Sequence, residues 1–417
     1  MIKSRYLFFI GLFVSISLVG QEISQWRGPD RNGTYQETNL LAEWPEEGPA
    51  LVWSTEGLGN GYGSVTVNGS AMFATGKNDS IEYLSKISAS GEIEWQIPYG
   101  KAAENGYPAA RTTPTIENNV IYLISSSGEI VSIDAEKGDI RWKVDGFTEF
   151  KGKWGPWSTA ESPLIVDNKI IYTPGGDETH MVALDKNTGE TIWTTMTFND
   201  QSGYVSPILV NYAGKDMIIS VSGKYAFGVN AADGNVLWYY NYFSLYPQPA
   251  HPMAPLINCN SPIYHDGKIF VTSGYDHTGA MLALNEDGSA VTLAWSQPTL
   301  DTHHGGVVLV DGKLYGSNWI NNSKGNWVCI DWETGEVAYE TEWFSKGSII
   351  YADGMLYCYE ERKGNLALVK PGTEGFEVVS SIEIEKGSGQ HWAHPVIENG
   401  ILYMRHGDVL MAYNIRA

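Results

Sequence analysis

Groups able to move protons or grip a polar ligand recur along this 417-residue chain in short stretches rich in aromatic residues. Arg111, Trp154, Trp157, Glu161 and Tyr204 fall in its first half. Asn260, Asp301, His303, His304, Lys346, His391, Trp392 and His394 follow in its second. A histidine or Tyr204 can take a proton while Arg111 neutralises a carboxylate, the acid–base chemistry that removes a proton from a uronate. Aromatic faces stack on sugar rings, and amide, carboxylate and imidazole groups hydrogen-bond the hydroxyls. The catalytic candidates are therefore His303, His304, Tyr204, Arg111, Glu161 and His391. The ligand-binding candidates are Trp154, Trp157, Asn260, Asp301, Lys346 and His394. Arg111 and Glu161 have a second reading, as a structural ion pair across a channel. Imidazole is a common metal ligand, which His303-His304 and His391 with His394 bring to mind. Loop histidines often only hydrogen-bond, and no metal is assigned.

These residues need a scaffold that brings them together. Ala183-Leu184-Asp185-Lys186-Asn187-Thr188-Gly189-Glu190-Thr191-Ile192-Trp193 reads as a strand, a tight turn closed by glycine, and a strand ending in an aromatic. Copies end at Trp95, Trp142, Trp238, Trp295 and Tyr339, so the anchoring aromatics recur every 44 to 57 residues. A period of this size built only from strand signals predicts propeller blades. Blades are expected at about 64–95, 112–142, 160–193, 205–238, 261–295, 306–339 and 347–379. An early hairpin recurs in them, as in His265-Asp266-Gly267-Lys268 and Val310-Asp311-Gly312-Lys313, and Asp-Gly between apolar runs is a strong hairpin signal.

An eighth blade is composite. The last three strands, within 394–415, lack an outer strand, and the segment at about 50–54 supplies one with no strands before it. Pairing Leu51–Trp53 with Val409–Tyr413 closes the ring and removes an open edge. The expectation is an all-β, eight-bladed propeller of four-stranded antiparallel blades, a single domain over 21–417. The short, uniform hairpins and Thr-Gly-Glu turns share one face. The long, individual loops, which carry every candidate above together with Tyr62 and Tyr107, share the other, and function concentrates in loops on a rigid scaffold.

Residues 1–20 read as a signal peptide: Lys3 and Arg5, an apolar run from Leu7 to Val19, and a cut near Gly20. The run is too short for a stable membrane span, and no cysteine follows it to carry a lipid. Export to the periplasm or beyond is the expected destination. Forty-eight acidic against 27 basic residues give a net charge of −21, which disfavours nucleic acid as a partner. Cys259, Cys329 and Cys358 have no metal-type spacing and read as small buried residues.

The Asp-Gly-Lys hairpin followed by an Ala-Leu-Asp-x-x-Thr-Gly-Glu-x-x-Trp strand pair resembles the pyrroloquinoline-quinone-like propeller repeat. That family includes quinoprotein alcohol dehydrogenases, the propeller lipoprotein of the outer-membrane β-barrel assembly machinery, and exported proteins without an assigned role. The opening Trp26-Arg27-Gly28-Pro29-Asp30-Arg31-Asn32-Gly33 is similar to the last group. The dehydrogenases place two adjacent cysteines and a tryptophan against the quinone, with Asp, Glu and Asn around calcium. No adjacent cysteines or haem-type Cys-x-x-Cys-His motif occur here, so pyrroloquinoline quinone is not supported as cofactor. The leading expectation is a pocket for a carbohydrate-type or other small polar ligand. A non-catalytic scaffold with an envelope protein partner is the first alternative, and a quinoprotein-type alcohol or sugar dehydrogenase is the second.

Overall fold

The structure is a computed structural model that describes residues 23–104, 107–253 and 257–417. The expected signal peptide lies outside them. Eight antiparallel sheets occupy 66–101, 115–145, 164–194, 208–241, 263–297, 307–341, 347–383 and 396–414, the last completed by Ala50–Thr55. They are blades 1 to 8 of one ring. Each blade starts at the axis and ends outside. In blade 2 the inner strand Thr115–Glu117 is wholly buried, while the outer strand Ile140–Asp145 alternates exposed and half-buried residues. Among the described residues no helix is long and apolar enough to cross a membrane.

The repeated residues have physical jobs. Asp266-Gly267, Asp311-Gly312 and Asp353-Gly354 all have positive φ at both positions, the type I′ geometry that suits twisted hairpins. In the second turn Asp185 Oδ1 accepts the amides of Asn187 (2.8 Å) and Thr188 (3.1 Å), which fixes the reversal. Gly189 there has φ 78°, and a Cβ would lie 2.9 Å from the Trp142 ring of the preceding blade. The same indole donates Nε1–H to Lys186 O at 3.0 Å. The aromatic anchor is therefore a latch between blades. Trp95 on Glu136 O (3.1 Å), Trp193 on Ala231 O (3.2 Å) and Trp295 on Trp332 O (3.2 Å) repeat it. Trp238 departs from the pattern, its Nε1 meeting Met217 Sδ of its own blade at 3.2 Å. Blade 7 extends to Glu383, beyond the Val379 that the spacing suggests, and Phe376 in its turn stacks on Trp327 at 5.2 Å.

The ring closes as the chain ends imply. Leu51 pairs with Tyr413 and Trp53 with Ala412. Trp53 then latches onto Ala89 O of blade 1 at 3.0 Å, so the seam repeats the contact made elsewhere.

Residues 23–35 form an inverted loop inside the central channel. Ser24 bridges antiparallel to Ile116 on the inner strand of blade 2, and Thr34–Tyr35 runs parallel to Tyr351 and Ala352 on that of blade 7. Two arginines, 3% and 1% exposed, hold the apex. Arg27 donates to Val307 O (2.7 Å), Ile349 O (3.1 Å) and His394 Nδ1 (2.8 Å), reaching blades 6, 7 and 8. Arg31 donates to Ser162 O (3.0 Å), Pro207 O (3.1 Å), Thr115 Oγ1 (3.4 Å) and Pro163 O, reaching blades 2, 3 and 4. Gly33 and Gly306 leave room for this, since a Cβ at either would lie 2.3 or 2.1 Å from the Arg27 guanidinium.

Candidate functional site

Above the apex of that loop the long connections enclose a cavity of about 280 Å³. Trp26, on the loop itself, is part of its lining and packs against His394 with ring centroids 5.4 Å apart. The connections into blades 1 to 4 contribute Tyr62, Tyr107, Arg111, Trp157 and Tyr204. Those into blades 5, 6 and 8 contribute Cys259, His303, His304, Trp392 and His394. Tyr275 and Glu361 come from connections within blades 5 and 7.

Six of the twelve candidates thus line one space: Arg111, Trp157, Tyr204, His303, His304 and His394. The rest face elsewhere. Glu161 is buried behind the wall, accepting from Thr173 N (3.0 Å) and Thr173 Oγ1 (3.2 Å), and forms no ion pair with Arg111 across the channel. His391 stacks on His406 at 3.6 Å and meets the Tyr359 hydroxyl through Nδ1. Trp154 stacks on Phe147 at 3.6 Å. Asn260 ties loops together, donating to Thr302 O (2.6 Å) and His303 O (3.0 Å) and accepting Gly306 N (3.1 Å). Asp301 accepts Trp319 N (3.0 Å) and Asp276 N (3.1 Å), which shapes the wall under Tyr275. Lys346 reaches Asn321 O (3.0 Å) and the Glu361 carboxylate.

In the connections into blades 3 and 8 one rule separates lining from non-lining residues, although the adjacent His303 and His304 both face the cavity. Where the chain enters an inner strand it is extended, so successive side chains alternate between the axis and the space between blades. Ala160 and Ser162 line the cavity and Glu161 between them does not; Trp392 and His394 line it and His391 does not. The alternation was available in the sequence as a signal. Trp26 and Glu361 carried none, the first lying ahead of any strand and the second in a charged stretch that reads as a solvated turn.

The electrostatics divide the cavity. On one side Arg111 donates to Tyr107 O (2.9 Å) and Trp157 O, and burial pulls its pKa below the usual guanidinium value. The Tyr204 hydroxyl accepts the Trp157 amide at 3.2 Å. Opposite, Glu361 lies between Lys346 and His304, whose Nε2 is 3.1 Å from Glu361 Oε2. Burial pushes the Glu361 carboxyl up, but His304 and Lys346 outweigh it and hold it below its ordinary value. His303 is kept far below its usual pKa by burial, then by His304 and Lys346, so it is neutral at pH 7. Its ring nitrogens have no hydrogen-bond partner among the described residues.

Buried carboxyls outside the cavity give a pH signature. Burial raises Glu82 to about 7, and Glu161 and Asp301 to about 8. The folded protein holds these protons and the unfolded chain releases them, so the stability they confer is complete below the unfolded values and is lost as pH rises through 7 to 8. Between pH 6.5 and 8.5 the melting temperature should fall. Glu161→Gln, which keeps the neutral shape, should flatten that decline; a melting curve as steep as wild type would show that Glu161 is ionised when folded.

Quinoprotein alcohol dehydrogenase PedH of Pseudomonas putida is 27% identical over 154 residues, covering 34% of this chain and 24% of that protein. Outer membrane protein assembly factor BamB of Salmonella typhimurium is 27% identical over 123 residues, covering 30% and 27%. The chain thus spans about a quarter of the length of these relatives. BamB of Yersinia pestis is matched more broadly, 22% identical over 70% of this chain and 68% of that protein. Among solved structures, BamB from Moraxella catarrhalis superposes with a TM-score of 0.65 at 15% identity, over 88% of this chain and 99% of that one. A europium-containing methanol dehydrogenase gives 0.66 at 12%, over 92% and 90%. Both likenesses show the fold. The profile of the family described as outer membrane protein assembly factor BamB matches residues 30–144 and 82–341, and the chain belongs to that family of pyrroloquinoline-quinone-like propellers.

Proposed function

We propose that this is an exported envelope protein whose axial cavity binds a small polyhydroxylated ligand of the carbohydrate type. One observation carries the reading: four separate connections aim Tyr62, Tyr107, Trp157 and Trp392 into a space that also holds Arg111, His303 and His304. Trp392 sits among these rings, 4.8 Å from Tyr62, 5.0 Å from Tyr107 and 5.1 Å from His304. Such rings cover the apolar faces of a pyranose, and the polar groups between them take its hydroxyls. Arg111 favours an acidic sugar over a neutral one.

The quinone brought in by the family resemblance does not fit these residues. Cys259 is the one cysteine of the lining, while Cys329 and Cys358 are buried thiols inside blades 6 and 7, so no pair can stack on a planar cofactor. The cavity carboxylate, Glu361, is already tied to Lys346 and His304. Among the described residues no three side chains are grouped to hold a metal ion.

Calorimetric titration of the mature protein with neutral and uronic mono- and disaccharides tests the reading. At least one should bind, and Trp392→Ala should weaken it about tenfold, the scale of one aromatic contact of roughly 1–1.5 kcal/mol. Arg111→Gln should remove a preference for the acidic member. A flat titration across the panel overturns the reading. The second reading, a non-catalytic scaffold, draws on the BamB relatives. Copurification with outer-membrane assembly proteins, unchanged by Trp392→Ala and Arg111→Gln, would establish it instead.

A further inference from the structure

We infer that the cavity recognises the end of a glycan chain and not its interior, and that Trp26 is a specificity-determining residue at its floor. This rests on the carbohydrate reading above and adds the substrate geometry to it. The observation is the loop in the channel. A propeller axis left open offers a polymer a path through the ring, and here the path is filled. Ser24 enters beside blade 2, where its hydroxyl accepts from Asn68 of the blade 1 hairpin at 3.3 Å, and the chain leaves along blade 7. Between these points Arg27 and Arg31 take inner carbonyls of blades 3, 4, 6 and 7, the Thr115 hydroxyl of blade 2 and the His394 imidazole of blade 8. The cross-section is tied to its rim nearly all the way round.

What remains above the loop is a blind cavity. Its floor includes the Trp26 ring, positioned from below by Arg27, whose guanidinium carbon lies 5.7 Å from the ring centroid, and from the side by His394. Its volume of about 280 Å³ is at the lower limit of small-molecule sites, roughly 300–1,000 Å³. That is room for about one or two sugar rings, and a chain entering from the loop face has no exit. A terminal residue standing on Trp26 fits the space. An internal segment, which must continue in both directions, does not.

The wall above the floor matches an oriented end. Arg111 stands on the side of blades 2 and 3, and His303 with the His304–Glu361 pair on the side of blades 6 and 7. A terminal uronate has its carboxylate on one edge of the ring and free hydroxyls on another, so one ring can meet both sides at once. The internal ring of a chain has lost two of those hydroxyls to linkages.

Three oligosaccharide ladders of one to six residues test the inference by calorimetry: β-1,4-glucan, β-1,4-xylan and α-1,4-polygalacturonate. Each is used free, blocked at the non-reducing end, or bearing a bulky label at the reducing end. Affinity should rise up to the dimer or trimer and then stay level, and blocking one particular end should abolish binding. Trp26→Ala should weaken monomer and dimer at least tenfold, and the loss should be the same for every longer member. Affinity that climbs through the hexamer, or survives a block at each end, overturns chain-end recognition while leaving the carbohydrate reading intact. Unchanged affinity in Trp26→Ala, with its fold shown by an unaltered melting temperature, overturns the role of the floor. No binding by any free member overturns the carbohydrate reading and this inference with it.

Discussion

Deleting the last nine residues, 409–417, is expected to leave no soluble monomer. Val409 to Ala412 are between 0% and 3% exposed, and they form the third strand of blade 8 between its second strand and Ala50–Thr55. Removing them strands the N-terminal strand without a partner. It also strips Leu41 N of its acceptor, Ile415 O at 2.8 Å, and so loosens the chain that leads from the channel loop to the seam. Full burial of one large apolar side chain is worth about 1.5–3 kcal/mol, and several are lost together. The sum rivals the whole stability of an ordinary domain, about 5–15 kcal/mol. The exposed edge of blade 8 and the unpaired Ala50–Thr55 strand would then pair between molecules. Size-exclusion chromatography and thermal melting check this, and a monomeric, cooperatively melting truncation would refute it.

Arg31→Ala should be the most damaging single substitution in the channel. Burial pulls this guanidinium down to about 9, so at pH 7 it is still a charged donor. Besides the carbonyls of blades 3 and 4 it holds Gln25 Oε1 at 2.7 Å, which braces the apex from within. Two effects oppose each other. Losing a buried cation relieves its desolvation, but the Ser162 and Pro207 carbonyls are left unpaired, each at about 1–3 kcal/mol, while Pro163 O keeps the Thr115 hydroxyl at 2.7 Å. Two orphaned acceptors and the lost brace on Gln25 outweigh the relief, and a loss of about 2–4 kcal/mol is expected. Arg31→Lys should recover little, because one ammonium cannot reach both blades that a planar fork spans. Urea unfolding followed by tryptophan fluorescence reads the difference. If both variants stay within about 1 kcal/mol of wild type, the loop is a passenger and not a structural keystone.

The two arginines also mark where reading the sequence stopped short. Blades were legible because one physical unit recurs: a type I′ hairpin, an Asp-anchored turn, and a tryptophan latched on the next turn. The seam was legible because strands 396–414 and Ala50–Thr55 each lack what the other has. The face carrying the cavity followed from loop length, and so did the convergence of Arg111, Trp157, Tyr204, His303, His304 and His394. Glu161 and His391 were placed one or more residues out of phase, because loop membership was weighed and the two-residue alternation was not. Asn260 and Asp301 look like ligand groups in a list of polar residues. In three dimensions their donors and acceptors are consumed by backbone, which no local pattern announces. Arg27 and Arg31 sit in a stretch without periodicity, and their partners on the blades are 84 to 367 positions away.

The channel loop also orders events in time. Its acceptors on blades 6, 7 and 8 lie 280, 322 and 367 residues from Arg27, so only the local Asn32 O can take that guanidinium until the last three blades are made. Contacts this distant in sequence make for slow folding, since loop closure must come before the contacts that reward it. A segment made before any blade is therefore among the last to settle. Once settled it is held inside a closed ring by hydrogen bonds to six blades. Withdrawing the loop must break these bonds together, so unfolding is governed by a barrier more than by a balance, and its measure is a slow unfolding rate.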